Sequence, residues 1–153
     1  MQYLHQLELL HIFPELAGQI IVPEAVVQEL EVGKGLGINL PDISTLDWVT
    51  VRQPSSLSAL NLVINLGRGE TEVLMLALES NDPIVILDDG LARWMAKTLK
   101  IRLTGTLGLL IDAKNASLVP AIEPLLNKLQ TLGFRLAPMT RTEVLRMANE
   151  LPP

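Results

Sequence analysis

Apolar and polar positions follow one another along this chain in two rhythms. In residues 3–13, Leu4, Leu7 and Leu10 recur beside Leu9, Ile12 and Phe13, which predicts one helix. Gln19-Ile20-Ile21-Val22 is a short run rich in branched residues and predicts a strand. Pro23 then suits the first turn of a helix over 24–32, which sets Val26, Glu29 and Leu30 on one face. Residues 33–45 carry three glycines and Pro41 and predict an exposed loop. A strand is expected over 48–51, a loop over 54–58 and a helix over 57–65. Gly67 and Gly69 interrupt the pattern before a helix over 69–79.

Asn81-Asp82-Pro83 predicts a turn. Ile84-Val85-Ile86-Leu87 is apolar without alternation, as expected of a strand covered on both faces in a parallel sheet. Beyond it, the pattern predicts a helix over 90–99, a strand over 101–104 and helices over 106–115 and 120–132. Phe134-Arg135-Leu136 predicts an edge strand, and Thr140-x-x-Glu143 reads as a capping box opening the last helix. Strands alternating with helices imply an α/β fold with a small parallel sheet between helical layers. In such folds ligands bind outside the carboxyl ends of the strands.

Composition narrows this picture. The 153 residues suit one domain, and 48% hydrophobic residues allow a sizeable core. Aromatic residues make up only 3%, so the core must be aliphatic. The absence of cysteine excludes disulfides, thiolate zinc sites and cysteine nucleophiles, and fits a reducing compartment. No signal peptide and no apolar run of the ~20 residues needed to span a bilayer are visible, so a cytoplasmic protein away from membranes is expected.

Charge is unevenly spread. Residues 1–50 hold seven acids and only Lys34 as a base, residues 51–90 six acids and two arginines, and residues 91–153 nine bases and four acids. An acidic first part and a basic second part suit metal at one region and a polyanion at the other, or simply an unevenly charged surface.

Candidate chemistry lies with the acids. Asp88 and Asp89 directly follow the strand 84–87. One of them can cap the next helix, since Asp is a preferred N-cap, which leaves the second to explain. Glu70 stands in the first turn of its helix, in line with Val73, Leu74 and Ala77, and so is expected to point at the sheet edge. Favourable placement at the positive end of the helix dipole is the alternative, and Glu72 fits that alternative better. Glu29, between Val26 and Leu30, repeats the pattern of Glu70. Acids gathered at one rim repel unless a cation is present, and Mg²⁺ or Mn²⁺ takes carboxylate, water and phosphate oxygens. An acidic metal site beside a basic surface suggests phosphodiester hydrolysis. Arg93, Lys97 and Lys100 form a stripe spaced i, i+4, i+7, with Arg102 close by, and either track a phosphate backbone or form a solvated face. Thr104-Gly105-Thr106 ends one strand and opens a helix, where hydroxyl and N–H groups suit an oxyanion or a plain cap.

Four ordered segments resemble the PIN-domain family: Val22-Pro23-Glu24-Ala25-Val26-Val27-Gln28-Glu29-Leu30, Gly69-Glu70-Thr71-Glu72-Val73, Leu87-Asp88-Asp89-Gly90-Leu91-Ala92-Arg93 and Thr104-Gly105-Thr106-Leu107-Gly108. The resemblance runs over nearly the whole chain and is strongest to uncharacterised prokaryotic VapC-like members. It implies a three-layer α/β/α fold as a single domain over 1–153, with a core over 1–139 and a C-terminal helix and tail over 140–153. It also implies a Mg²⁺- or Mn²⁺-dependent endoribonuclease with Glu29, Glu70 and Asp88 as catalytic and metal-holding acids. Asp89 is their neighbour at the metal, and Thr104 and Thr106 lie beside the site. An antitoxin protein and a homodimer are the partners it implies. In one respect the chain departs from the pattern: a strand ending in an acid is expected before the first helix, and Met1 falls where that helix begins. Weak metal binding and little or no nuclease activity are therefore expected of the chain as given, with a non-catalytic module that binds protein or RNA as the alternative.

Overall fold

The structure is a computed structural model that describes residues 1–55 and 66–151. The helix expected over 57–65 lies outside these residues. The chain divides into two compact units, Gly18–Gly105 and a second made of Met1–Ala17 with Thr106–Pro153.

The first unit, Gly18–Gly105, alternates β and α. Its elements are β1 (Ile20–Pro23), α3 (Glu24–Gly35), β2 (Val49–Arg52), α4 (Arg68–Leu78), β3 (Ile84–Ile86), α5 (Gly90–Thr98) and β4 (Arg102–Thr104). The strands are all parallel, and they pair two by two rather than in one run. β1 lies beside β2 with Ile20 opposite Val49, and β3 beside β4 with Ile84 opposite Arg102. α4 packs on both β1 and β3 and so serves both pairs.

The core of this unit is aliphatic, as composition demands. Leu74, Met75 and Ala77 of α4 meet Val85 and Leu87, Ala92 and Ala96 of α5, and Ile101. Burying such a side chain contributes about 1.5–3 kcal/mol over leaving it in water. α3 runs three residues past its expected end at Val32, because Gly33 turns its bare Cα onto the Leu40 side chain and is buried there. The loop beyond it is tightened by a 3₁₀ turn, Ile43–Thr45, capped by Asp42, whose carboxylate accepts Ser44 N–H at 3.0 Å.

The second unit holds α1 (Gln2–Gln6), α2 (Ile12–Ala17), α6 (Thr106–Asn115), α7 (Glu123–Thr131) and α8 (Pro138–Met147). The single helix expected over 3–13 is two. Leu9 N–H bonds back to Leu4 O, Glu8 takes a positive φ of 62°, and the chain restarts at Ile12 with Pro14 in the first turn, where a missing N–H costs nothing. The expected edge strand at Phe134-Arg135-Leu136 does not form. Phe134 N–H instead bonds Leu129 O at 3.0 Å, and its ring stands edge-on to Tyr3 at 5.0 Å. The capping box is absent as well. Pro138, with φ already set for a helix, starts α8 two residues before Thr140, and Glu143 pairs with Arg146 at 2.6 Å. α7 is capped from a distance: the Glu150 carboxylate accepts Ile122 N–H at 2.6 Å and Glu123 N–H at 2.9 Å.

Candidate functional site

Both groups of expected acids lie in the Gly18–Gly105 unit. The first gathers at the start of α4. This helix opens on Gly67, which has no side chain to cap it, so its first N–H groups need acceptors from elsewhere. Glu29, reaching from α3, supplies one: its Oε1 accepts Gly69 N–H at 3.0 Å. The approach needs a glycine, since a Cβ on Gly69 would fall 2.6 Å from Glu29 Oε2. Glu70 folds its carboxylate back onto Gly67.

The face of α4 turned into the unit differs by one acid from expectation. Glu72, not Glu70, is the carboxylate driven inside, at 2% exposure. It accepts Ala25 N–H at 3.1 Å, the first turn of α3, and Arg68 Nε at 3.3 Å. A carboxylate so buried needs such partners. The reason Glu72 goes inside is that α3 presents an orphan N–H there; Pro23, its N-cap, offers no side-chain acceptor.

The second group lies at the carboxyl ends of β3 and β4. Asp89 is the helix cap: its Oδ1 accepts Ala92 N–H at 2.9 Å. Asp88 is exposed and turned the other way, toward Gly105 at the end of β4. A Cβ on Gly105 would fall 2.8 Å from Asp88 Oδ1, 2.8 Å from Arg93 Nη1 and 3.0 Å from Leu87 O. Gly105 thus lets a carboxylate, a guanidinium and a strand carbonyl converge on one point. Arg93 is held there by donating to Leu87 O at 2.8 Å. Thr104 is half-buried and its carbonyl accepts Leu87 N–H at 3.0 Å. Thr106 belongs to the second unit, where it opens α6 and is buried.

The four expected RNA-contacting bases divide in two. Arg93 is occupied at the strand end, and Arg102 pairs with Asp82 at 2.8 Å. Lys97 and Lys100 are exposed and enter no ion pair among the described residues.

Two hollows mark the unit's surface. The larger, about 560 Å³, runs along α3 and the 3₁₀ turn and is rimmed by Glu31, Lys34 and Asp42. Lys34 there stands 3.0 Å from Glu31 and 3.8 Å from Asp42, one base between two acids, and neither Asp88 nor Asp89 lines it. The smaller, about 260 Å³, is lined by Ala25, Gln28, Glu29, Val32 and Arg68.

As donors, carboxylates suit Mg²⁺ and Mn²⁺. Their placement is a different matter: among the described residues, no three histidines or acids come together as a metal-holding group. Glu29 and Glu70 are turned onto the backbone of α4, and Asp89 onto that of α5, so a closed cage is not formed. Mg²⁺ binding through one or two carboxylates together with substrate phosphates needs no such cage.

The order of these elements, with acids on α3, on α4 and after β3, coincides with one known family. The family model described as a PIN domain matches residues 1–150. The chain belongs to the PIN-domain family. Membership carries a nuclease-type function as its general meaning, and it agrees with the mixed α/β architecture of small parallel sheets and helices. No curated protein and no solved structure matches the chain. Among the described residues of this PIN domain, no helix is long and apolar enough to cross a membrane.

The sequence pattern sets Glu72 at the helix dipole, because its stripe continues to Glu79, and gives no sign that it is buried. Gly105 carries a signal in its position between two threonines at a strand-to-helix junction.

Proposed function

We propose that this PIN domain is a metal-dependent endoribonuclease of the VapC-like kind, with Asp88 as its central acid. The observation that carries this reading is the division of labour between adjacent aspartates. Asp89 caps α5 through Ala92 N–H, and Asp88 stands exposed at the carboxyl end of β3 beside Gly105 and Arg93. In an open α/β unit, the strand end is where a ligand is received.

In this reading, Asp88 with Glu29 or Glu70 holds Mg²⁺ or Mn²⁺ together with oxygens of the RNA phosphate. The ion, once bound, supplies an activated water and charge stabilisation for phosphodiester hydrolysis. The chain's own contributions are positional. Gly105 keeps the space in front of Asp88 open, and the Arg93–Leu87 bond holds a cation beside the developing negative charge. Lys97 and Lys100 draw in the RNA backbone. An antitoxin and a second copy of the chain are the partners this reading carries with it, in a cytoplasmic setting.

The test is cleavage of a structured RNA with Mg²⁺ or Mn²⁺ by wild type and by Asp88→Asn. Whatever cleavage the wild type shows is expected to fall at least 10-fold in Asp88→Asn. Equal cleavage by both would overturn the reading.

One observation favours a second reading. Glu29 and Glu70, the acids expected to complete a metal site, lie against backbone at the start of α4. A non-catalytic PIN module that binds RNA or protein would need no more than this. RNA binding indifferent to EDTA, with no cleavage and no rise in melting temperature on Mg²⁺ or Mn²⁺ titration, would mark that module.

A further inference from the structure

We propose that the outer face of α5, with the turn that follows it, is a stacking platform for single-stranded RNA, Trp94 receiving a base and Lys97 on the helix and Lys100 in the turn the flanking phosphates. The proposal deepens the RNA-directed reading above and rests on it.

Trp94 is the observation. The chain has five aromatic residues. Phe13 is buried, and Tyr3, Trp48 and Phe134 are half-buried, whereas Trp94 is 59% exposed. More than half of the indole surface is thus open to water and can receive a flat partner. Helical geometry puts Trp94 at the middle of the exposed arc of α5. Ala92 and Ala96 are fully buried on the opposite side. Leu91 and Thr98 flank Trp94 on one side, at i−3 and i+4, and Lys97 on the other, at i+3.

Charge chooses the occupant. From Gly90 to Lys100 the sequence contains no acid, and its bases are Arg93, Lys97 and Lys100. Neither lysine enters an ion pair among the described residues, while Arg93 is held at the strand end. An exposed ring amid uncompensated cations suits a polyanion that also carries stackable faces. Bases stacked in a duplex are not available to a side chain, so an unpaired strand fits best. The position fits as well. Trp94 stands four residues into α5, about 6 Å along its axis from Gly90 by the helical rise. A strand passing Asp88 would bring the next base or two over the indole.

The experiment is fluorescence titration of the full chain with an unstructured oligoribonucleotide, in EDTA so that cleavage plays no part. Trp48→Phe leaves Trp94 as the sole reporter. Saturable quenching is expected. Trp94→Ala is expected to bind roughly 10- to 100-fold more weakly with an unchanged melting temperature, and Trp94→Phe to keep most of the affinity. Replacing Lys97 and Lys100 by Gln together is expected to lower the salt slope by about 1.4, at about 0.7 per phosphate contact on a single strand. The same oligonucleotide annealed to its complement is expected to quench little. Affinity unchanged in Trp94→Ala would overturn the proposal. So would quenching that follows protein concentration and ignores RNA, which would make the face a contact between copies of the chain. Loss of cleavage in Asp88→Asn speaks to the nuclease reading, and loss of oligonucleotide binding in Trp94→Ala to this one.

Discussion

Glu29 Oε1 accepts the Gly69 N–H at 3.0 Å, so an acid of α3 closes the first turn of α4. The bond joins two helices and satisfies a donor that Gly67, the N-cap, cannot reach. Glu29→Ala is expected to cost about 1 kcal/mol in urea denaturation, as loss of a helix cap does. Gly69→Ala is expected to destabilise more strongly, because its Cβ would fall 2.6 Å from Glu29 Oε2. In the Glu29→Ala background that second cost should shrink, and a double-mutant cycle reads the coupling. Strictly additive effects would contradict the contact.

Glu72 and Glu70 should separate by stability. Glu72 is 2% exposed and holds Ala25 N–H and Arg68. Glu72→Ala leaves a buried donor without its acceptor and is expected to cost about 1–3 kcal/mol. Glu70→Gln should change stability by less than about 1 kcal/mol, the scale of a helix-dipole effect. Equal losses in the two variants, measured by denaturant midpoint, would count against the assignment.

Gly105→Ala tests the convergence at the strand ends. The added methyl would meet the Leu87 carbonyl at 3.0 Å and the Asp88 and Arg93 side chains at 2.8 Å. Asp88 and Arg93 can swing away, but the carbonyl belongs to the backbone. A loss of about 1–3 kcal/mol is expected, as for overpacking elsewhere, with cleavage reduced further than stability explains. A variant with wild-type melting temperature and cleavage would show that the space is not needed.

Glu150 gives the fold a pH dependence. Burial alone would raise its pKa; the N–H groups of Ile122 and Glu123 and the Lys114 ammonium outweigh burial and hold it below 4.5. The stabilisation is therefore whole above pH 4.5 and is lost as pH falls through the lower folded value. Glu150→Gln is expected to be about 1–2 kcal/mol less stable than wild type at pH 7. The gap should close in acid, followed by denaturation at a series of pH values. A gap that stayed constant down to the acid limb would contradict the role.

Much of this was legible in the sequence, and the misses share a cause. The apolar run before Asp88 marked β3, and the doublet after it held the cap of α5. Local rhythm served there because Asp89 acts three positions from its partner, Ala92. Glu72 was misjudged because its partner, Ala25 N–H, lies 47 residues away and no periodicity within α4 reports it. Thr140 and Glu143 matched a capping box, yet Pro138 starts the helix before the box is reached. The split of the first helix depends on Glu8 accepting a positive φ, which side-chain pattern does not encode. The pairing of strands two by two was likewise invisible, since each strand's own sequence is silent about its neighbours.

The central claim is that Asp88 acts on RNA while Asp89 holds α5. The most direct measurement sets Asp88→Asn against Asp89→Ala in one preparation, reading both melting temperature and metal-dependent cleavage of RNA. Asp88→Asn is expected to keep its melting temperature and lose at least 10-fold in cleavage. Asp89→Ala is expected to lose about 1 kcal/mol of stability and to retain cleavage at temperatures where it is folded. The reverse pattern, with stability lost in Asp88→Asn and cleavage lost only in Asp89→Ala, would contradict the account.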